Sequence, residues 1–156
     1  MYCMKLFLSI CLFWVLSIPS FAGDKENPVS WKVTVQATNK EHTEYQLTAK
    51  ATIEKGFHIW ALDAGGDGSL INTAIELQTP SVSWKSDTWA SDKEAHKETL
   101  EFIEGPVFSF EKSVSLTRVF SIAQKTKKIK GTITYQTCNE SMCLPPEDFV
   151  FELDLP

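Results

Sequence analysis

Residues 31–53 read WKVTVQATNKEHTEYQLTAKATI. Trp31, Val33, Val35 and Ala37 alternate with Lys32, Thr34, Gln36 and Thr38. Tyr45, Leu47, Ala49, Ala51 and Ile53 alternate with Gln46, Thr48, Lys50 and Thr52. Successive side chains of a strand point to opposite faces, so a period of two over this length predicts two strands, each with one face in a core. The polar residues 39–43 form the turn between them.

The rest of the chain repeats the signal. Residues 54–56 (Glu-Lys-Gly) turn into a short strand over 57–62, and the Gly-rich residues 64–69 make a loop. Further strands are expected over 73–78, 82–84, 107–116, 132–136 and 149–153, giving seven to nine in all. Many short strands with turn signals between them predict an all-β fold, a β-sandwich. Residues 86–104 are charged and only weakly periodic. A helix over 92–100 is the minor alternative, and a long loop capping one end of the sandwich is expected; loops of that length are often functional. The basic run 124–130 reads as a solvated turn. No internal repeat or low-complexity segment occurs.

The N-terminus supplies the cellular context. Lys5 precedes an apolar run over 6–18, and Ser20-Phe21-Ala22 places small residues at a cleavage site. This is the layout of a secretory signal peptide, and its apolar run of about 13 residues is shorter than a membrane-spanning helix requires. Ile10 before Cys11 is too bulky for a lipid-attachment box. Cleavage after Ala22 is expected, leaving residues 23–156 as one exported domain. The net charge of the whole chain is −5, and loss of Lys5 makes it one unit more negative. An acidic chain without a basic stripe argues against nucleic acid and anionic lipid as partners, and no second apolar stretch approaches membrane length.

Cleavage would also remove Cys3 and Cys11. Cys138 and Cys143 remain, within YQTCNESMCLPP at 135–146. Outside the cytosol such a pair is oxidised by default. The connection between two neighbouring strands can bring the α-carbons within disulfide reach, roughly 5.5 Å. Three readings stay open on these residues alone. A structural staple closing so small a loop contributes only about 2 kcal/mol, in a domain large enough to have an adequate core without it. A small, accessible loop disulfide has the profile of an exchangeable redox couple. Met142 and His58 could join the cysteines as soft metal ligands, but the C-x4-C spacing is not a usual zinc pattern, and His42, His58 and His96 lie in separate segments. No metal and no cofactor are expected. The motifs of serine hydrolases, zinc proteases and phosphate-binding loops are missing.

The segment 135–146 resembles the active-site segment of the N-terminal periplasmic domain of the thiol:disulfide interchange protein DsbD, in which a strand ending Tyr-Gln leads into a cysteine, a short loop, a second cysteine and Pro-Pro. Residues 56–60 (GFHIW) and 101–110 (EFIEGPVFSF) match that family more loosely, and the likeness spans roughly residues 29–155. The resemblance implies an immunoglobulin-like sandwich and a periplasmic carrier of reducing equivalents, with Cys143 bonding to partners and Cys138 as the internal resolving cysteine. The implied partners are thioredoxin-like redox proteins or domains, with a membrane electron transporter among the donors. The gap of four between the cysteines departs from family members with five. Because the chain stops at Pro156, the donor is expected to act in trans. Glu140 is expected to raise a nearby thiol pKa.

By position, residues 86–104 match the family's cap loop, which makes Trp89, His96 and Phe102 the cap candidates. Phe57, His58 and Trp60 are candidates to line the site from the neighbouring strand. Alternation separates Phe57 and Ile59 from His58 and Trp60, so only one set is expected there. Tyr135 and Met142 flank the cysteines and complete the candidates. The alternative function is an exported immunoglobulin-like binding module whose disulfide is purely structural.

Overall fold

The computed structural model describes residues 27–123 and 126–156. The segment 1–22 expected to be a signal peptide, and Gln124 and Lys125 of the basic run, lie outside the described residues. The chain is an immunoglobulin-like β-sandwich built from antiparallel sheets, with no helix among the described residues.

The hairpin read from 31–53 is the first structural unit. β1 (Val29–Ala37) and β2 (Glu44–Ile53) pair in the register Trp31↔Ala51, Val33↔Ala49 and Val35↔Leu47, so every inward residue meets an inward residue. Asn39 closes the turn, its side-chain oxygen accepting from the backbone N–H of Thr43 and Glu44. β2 continues the sheet through β9 (Ser113–Ile122), which also carries the short β5 (Val82–Trp84) and β6 (Ala90–Ser91). A second sheet has the order β12 (Glu147–Asp154), β10 (Lys128–Tyr135), β4 (Ala74–Leu77). A third runs β11 (Thr137–Cys138), β3 (His58–Gly65), β8 (Pro106–Glu111), β7 (His96–Thr99).

Leu47, Ala49, Ala51, Val114, Leu116 and Phe120 from the first sheet are all fully buried, in one core with Ile59, Phe110, Ile129, Ile133 and Phe151 from the other two. A second, smaller cluster lies apart from it. It comprises Trp60, Ala64, Val107 and Cys138, with Leu70, Leu100 and Ile103 packed against them. β3 divides its side chains between the two: Ile59 and Ala61 join the main core and Trp60 the small one, as the period of two requires.

Three expectations need correction. The run 107–116 is not one strand. Lys112 takes a left-handed conformation (φ 65°), and the chain leaves β8 in the third sheet for β9 in the first. β9 then extends to Ile122, beyond the expected end at 116. The segment 86–104 is not simply a loop: β6 pairs with β9 and β7 with β8, so it straps across the edges of two sheets. β3 starts at His58 rather than residue 57 and reaches Gly65 through a bulge, because the register against β8 jumps from Trp60↔Ser109 to Gly65↔Val107. Gly65 (φ 69°) lies so close to the Pro106 carbonyl and the Phe108 ring that a side chain there would collide with both.

Candidate functional site

Gln136 links β10 to a two-residue strand that docks on β3 in the register Thr137↔Ile59 and Cys138↔His58. The next residues form a tight hairpin whose geometry follows from Asn139. Its backbone N–H donates to the Met142 carbonyl at 2.9 Å, and its side-chain oxygen accepts from the N–H of Ser141 and Met142, each at 2.9 Å. This Asx turn folds the chain back locally. Leu144 N–H donates to the Thr137 carbonyl at 2.8 Å, and the Gln136 amide donates to the Leu144 carbonyl at 3.1 Å. Cys138 and Cys143 thereby face each other as an isolated antiparallel pair, and they are disulfide-bonded with α-carbons 3.9 Å apart. That is closer than the 5.5 Å expected, because they sit directly opposite in a hairpin rather than across an open loop.

The two cysteines differ in environment. Cys138 is 1% exposed and packs in the small cluster with Trp60, whereas Cys143 is exposed. Both open onto a cavity of about 410 Å³. Of the site-lining candidates, Phe57, His58, Trp60, His96 and Met142 all border it. The expectation that only one face of the aromatic strand contributes is thus wrong. Phe57 precedes the strand and leaves a turn at Gly56 (φ 87°), so alternation does not reach it.

The remaining candidates lie elsewhere. Trp89 sits on Trp84, ring centroids 5.2 Å apart, near Arg118 on the first sheet. Phe102 is 90% exposed and does not border the cavity. Tyr135 is buried against Trp31, at 5.6 Å between ring centroids; its hydroxyl accepts from the Asn27 amide and donates to Glu147. Sequence reasoning missed Leu100, Glu98 and Glu111 as lining residues, since only the pairing of β7 on β8 places them there. Asn139 was detectable, because Asn at the start of a short loop is a turn signal.

The polar rim carries three carboxylates, Glu98, Glu111 and Glu140, beside the two imidazoles and Asn139. The His58 ring meets Trp60 edge-to-face at 4.8 Å. Burial pushes the His58 pKa down; Glu98 and Glu111 oppose this and His96 reinforces it. The imidazole is therefore neutral near neutral pH. Among the described residues no cluster of three or more His, Cys, Asp or Glu is arranged to hold a metal ion.

The model of the family "Thiol:disulfide interchange protein DsbD, N-terminal" matches residues 26–155. No curated protein matches the chain. The solved N-terminal periplasmic domain of ScsB from Proteus mirabilis has the same fold, with a TM-score of 0.61 at 15% identity over 85% of this chain. The chain spans 48% of that structure's length. More distant likenesses are the reduced DsbD N-terminal domain of Neisseria meningitidis (TM-score 0.43, 18% identity, 78% of this chain and 83% of that one) and the complex between the DsbD and PilB N-terminal domains of the same organism (TM-score 0.42, 16% identity, 78% and 80%). The family match and the bonded cysteine pair together support thiol–disulfide exchange in general.

Proposed function

The chain belongs to the family of N-terminal domains of the thiol:disulfide interchange protein DsbD, and on that footing we propose that it is an exported, periplasmic domain that shuttles reducing equivalents through Cys138 and Cys143 between thioredoxin-like partners. One observation carries the reading beyond family membership: an exposed sulfur-bearing residue bonded to a buried one at the mouth of a cavity. A bond meant only to hold the sandwich together would do most by joining sheets across the main core. This one closes a hairpin between residues five apart, outside that core.

The difference in exposure supports giving Cys143 the attacked role and Cys138 the resolving one. A donor thiolate attacks Cys143 Sγ; the bond to the donor forms as the bond to Cys138 breaks, and Cys138 departs with the electron pair as a thiolate and is then protonated. The donor's second thiolate attacks the donor sulfur of this mixed disulfide and releases Cys143. The pair has gained two electrons and the donor dithiol has become a disulfide. Toward an oxidised client the same steps run in reverse. His96, the cap candidate that borders the cavity, would screen the pair from the strap, and Trp60 backs Cys138. A membrane electron transporter is one donor class. Export rests on the N-terminal segment, and no helix among the described residues is long and apolar enough to cross a membrane.

Trapping tests this reading. Cys138→Ser leaves a Cys143 whose mixed disulfide cannot be resolved internally, so it should capture an activated thioredoxin-fold protein covalently on non-reducing gels. Cys143→Ser should capture little, because Cys138 is buried. Equal capture by both would remove the assignment of roles, and capture by neither would remove the exchange function.

A further inference from the structure

His58 stands directly opposite Cys138 in the β3–β11 ladder. Residues opposite each other in an antiparallel pair project from the same face with Cβ atoms about 5 Å apart, and both side chains border the cavity that Cys143 enters. His58 Nε2 is buried and has no hydrogen-bond partner among the described residues. A buried polar atom left without a partner is costly. In the disulfide-bonded form, neither sulfur carries a hydrogen to offer it. Reduction changes this, since Cys138 then bears an S–H, a donor, on the face that His58 shares.

We propose that His58 accepts the Cys138 thiol proton in the step that resolves the mixed disulfide. The inference rests on the exchange function proposed above. With Cys143 bonded to an oxidised partner's sulfur, His58 takes the proton of the Cys138 thiol. The resulting thiolate attacks Cys143 Sγ; the Cys138–Cys143 bond forms, the Cys143–partner bond breaks, and the partner departs with the electron pair as a thiolate. The imidazolium then passes its proton to that thiolate. Across both steps the cysteine pair is oxidised by two electrons and the partner disulfide is reduced.

The surroundings suit an acceptor. Trp60 holds the ring edge-to-face, and burial keeps it neutral while Cys138 still holds its proton. Once protonated, the ring interacts with Glu98 and His96 from β7 and Glu111 from β8, while Glu140 of the hairpin borders the same cavity. Two carboxylates against one other imidazole favour the transient imidazolium. An arrangement in which only the acidic rim faced Cys138 would disfavour the thiolate that resolution requires.

The experiment uses the reduced protein and glutathione disulfide, with acid quenching and mass spectrometry across about pH 5 to 8, the range in which histidine titrates. His58→Phe keeps a ring against Trp60, and His58→Gln keeps a polar side chain. In both, glutathionylated protein should accumulate and its resolution should slow by at least about ten-fold near neutral pH. Their resolution rates should climb steadily with pH, whereas the unmodified protein's should level off. The glutathionylation step, measured in Cys138→Ser with and without each change, should be unaffected. Resolution at the unmodified rate with the unmodified pH profile overturns the role and leaves the exchange function standing. Slowing in one variant alone, with the levelled pH profile kept, marks lost packing and also overturns it. Failure of the unmodified protein to form any mixed disulfide refutes the exchange function, and this role with it.

Discussion

Cys138 and Cys143 face each other at 3.9 Å between α-carbons, yet the first is 1% exposed and the second lies open to solvent. On the proposed reading a partner attacks the open sulfur of Cys143, and the sulfur released on that attack is the one packed in the cluster with Trp60.

The bond contributes little to the fold. Cys138→Ser combined with Cys143→Ser should remain folded, with a loss of about 2 kcal/mol or less in urea unfolding. The main core contains neither cysteine, so global unfolding of this double variant at room temperature would contradict the reading of the pair as a working couple.

Trp60 is 2% exposed and is the largest side chain in the small cluster. Trp60→Ala should cost about 3–5 kcal/mol and open the wall behind Cys138. In the reduced protein the alkylation rate of Cys138 should rise toward that of Cys143. A stability loss with no change in Cys138 alkylation would separate the cluster from the site.

Asn139 holds the hairpin through one backbone and two side-chain hydrogen bonds. Asn139→Ala removes the side-chain pair, and ordinary hydrogen bonds contribute about 0.5–1.5 kcal/mol each. A looser hairpin brings the sulfurs together less often, so the disulfide becomes easier to reduce. The reduction potential should rise by roughly 20–60 mV, since 30 mV corresponds to about 1.4 kcal/mol for a two-electron couple. Equilibration against glutathione measures it, and an unchanged or lowered potential would contradict the preorganisation argument.

Far from the site, Glu152 bridges Lys128 and Lys130 across the β10–β12 ladder at 2.6 and 2.9 Å. Hydrogen bonds from these lysines hold its carboxyl at about 2, below the ordinary 4.5. The folded value lies below the unfolded one, so the contribution is fully present above 4.5 and is lost as pH falls toward 2. Glu152→Gln should flatten the stability–pH curve in that window and leave exchange untouched. The side chains are exposed, so the effect should be small and should shrink with added salt.

The alternation in 31–53 was sufficient for the sandwich, because a period of two with one buried face admits few other structures, and the observed register pairs inward residues throughout. The cysteine pair was legible for a similar reason, since its partners are close in sequence. The strap was not. His96 and Glu98 reach the cavity only because β7 pairs with β8, and four-residue pairing of polar side chains leaves no hydrophobic period to read. Trp89 illustrates the converse. As an aromatic in the expected cap it was a reasonable candidate, but the short β6 turns that part of the strap onto the first sheet, where Trp84 and Arg118 take up its ring. Lys112 breaks the long run 107–116 with a backbone conformation that no residue pattern announces.

The reduction potential of the Cys138–Cys143 couple tests the central claim most directly. Equilibrating the protein from residue 23 onward with defined glutathione or dithiothreitol ratios, and counting free thiols by mass, gives the value. An exchange-active pair should lie above about −300 mV, within reach of thioredoxin-like partners. A value well below about −300 mV is that of a structural disulfide and would contradict the account.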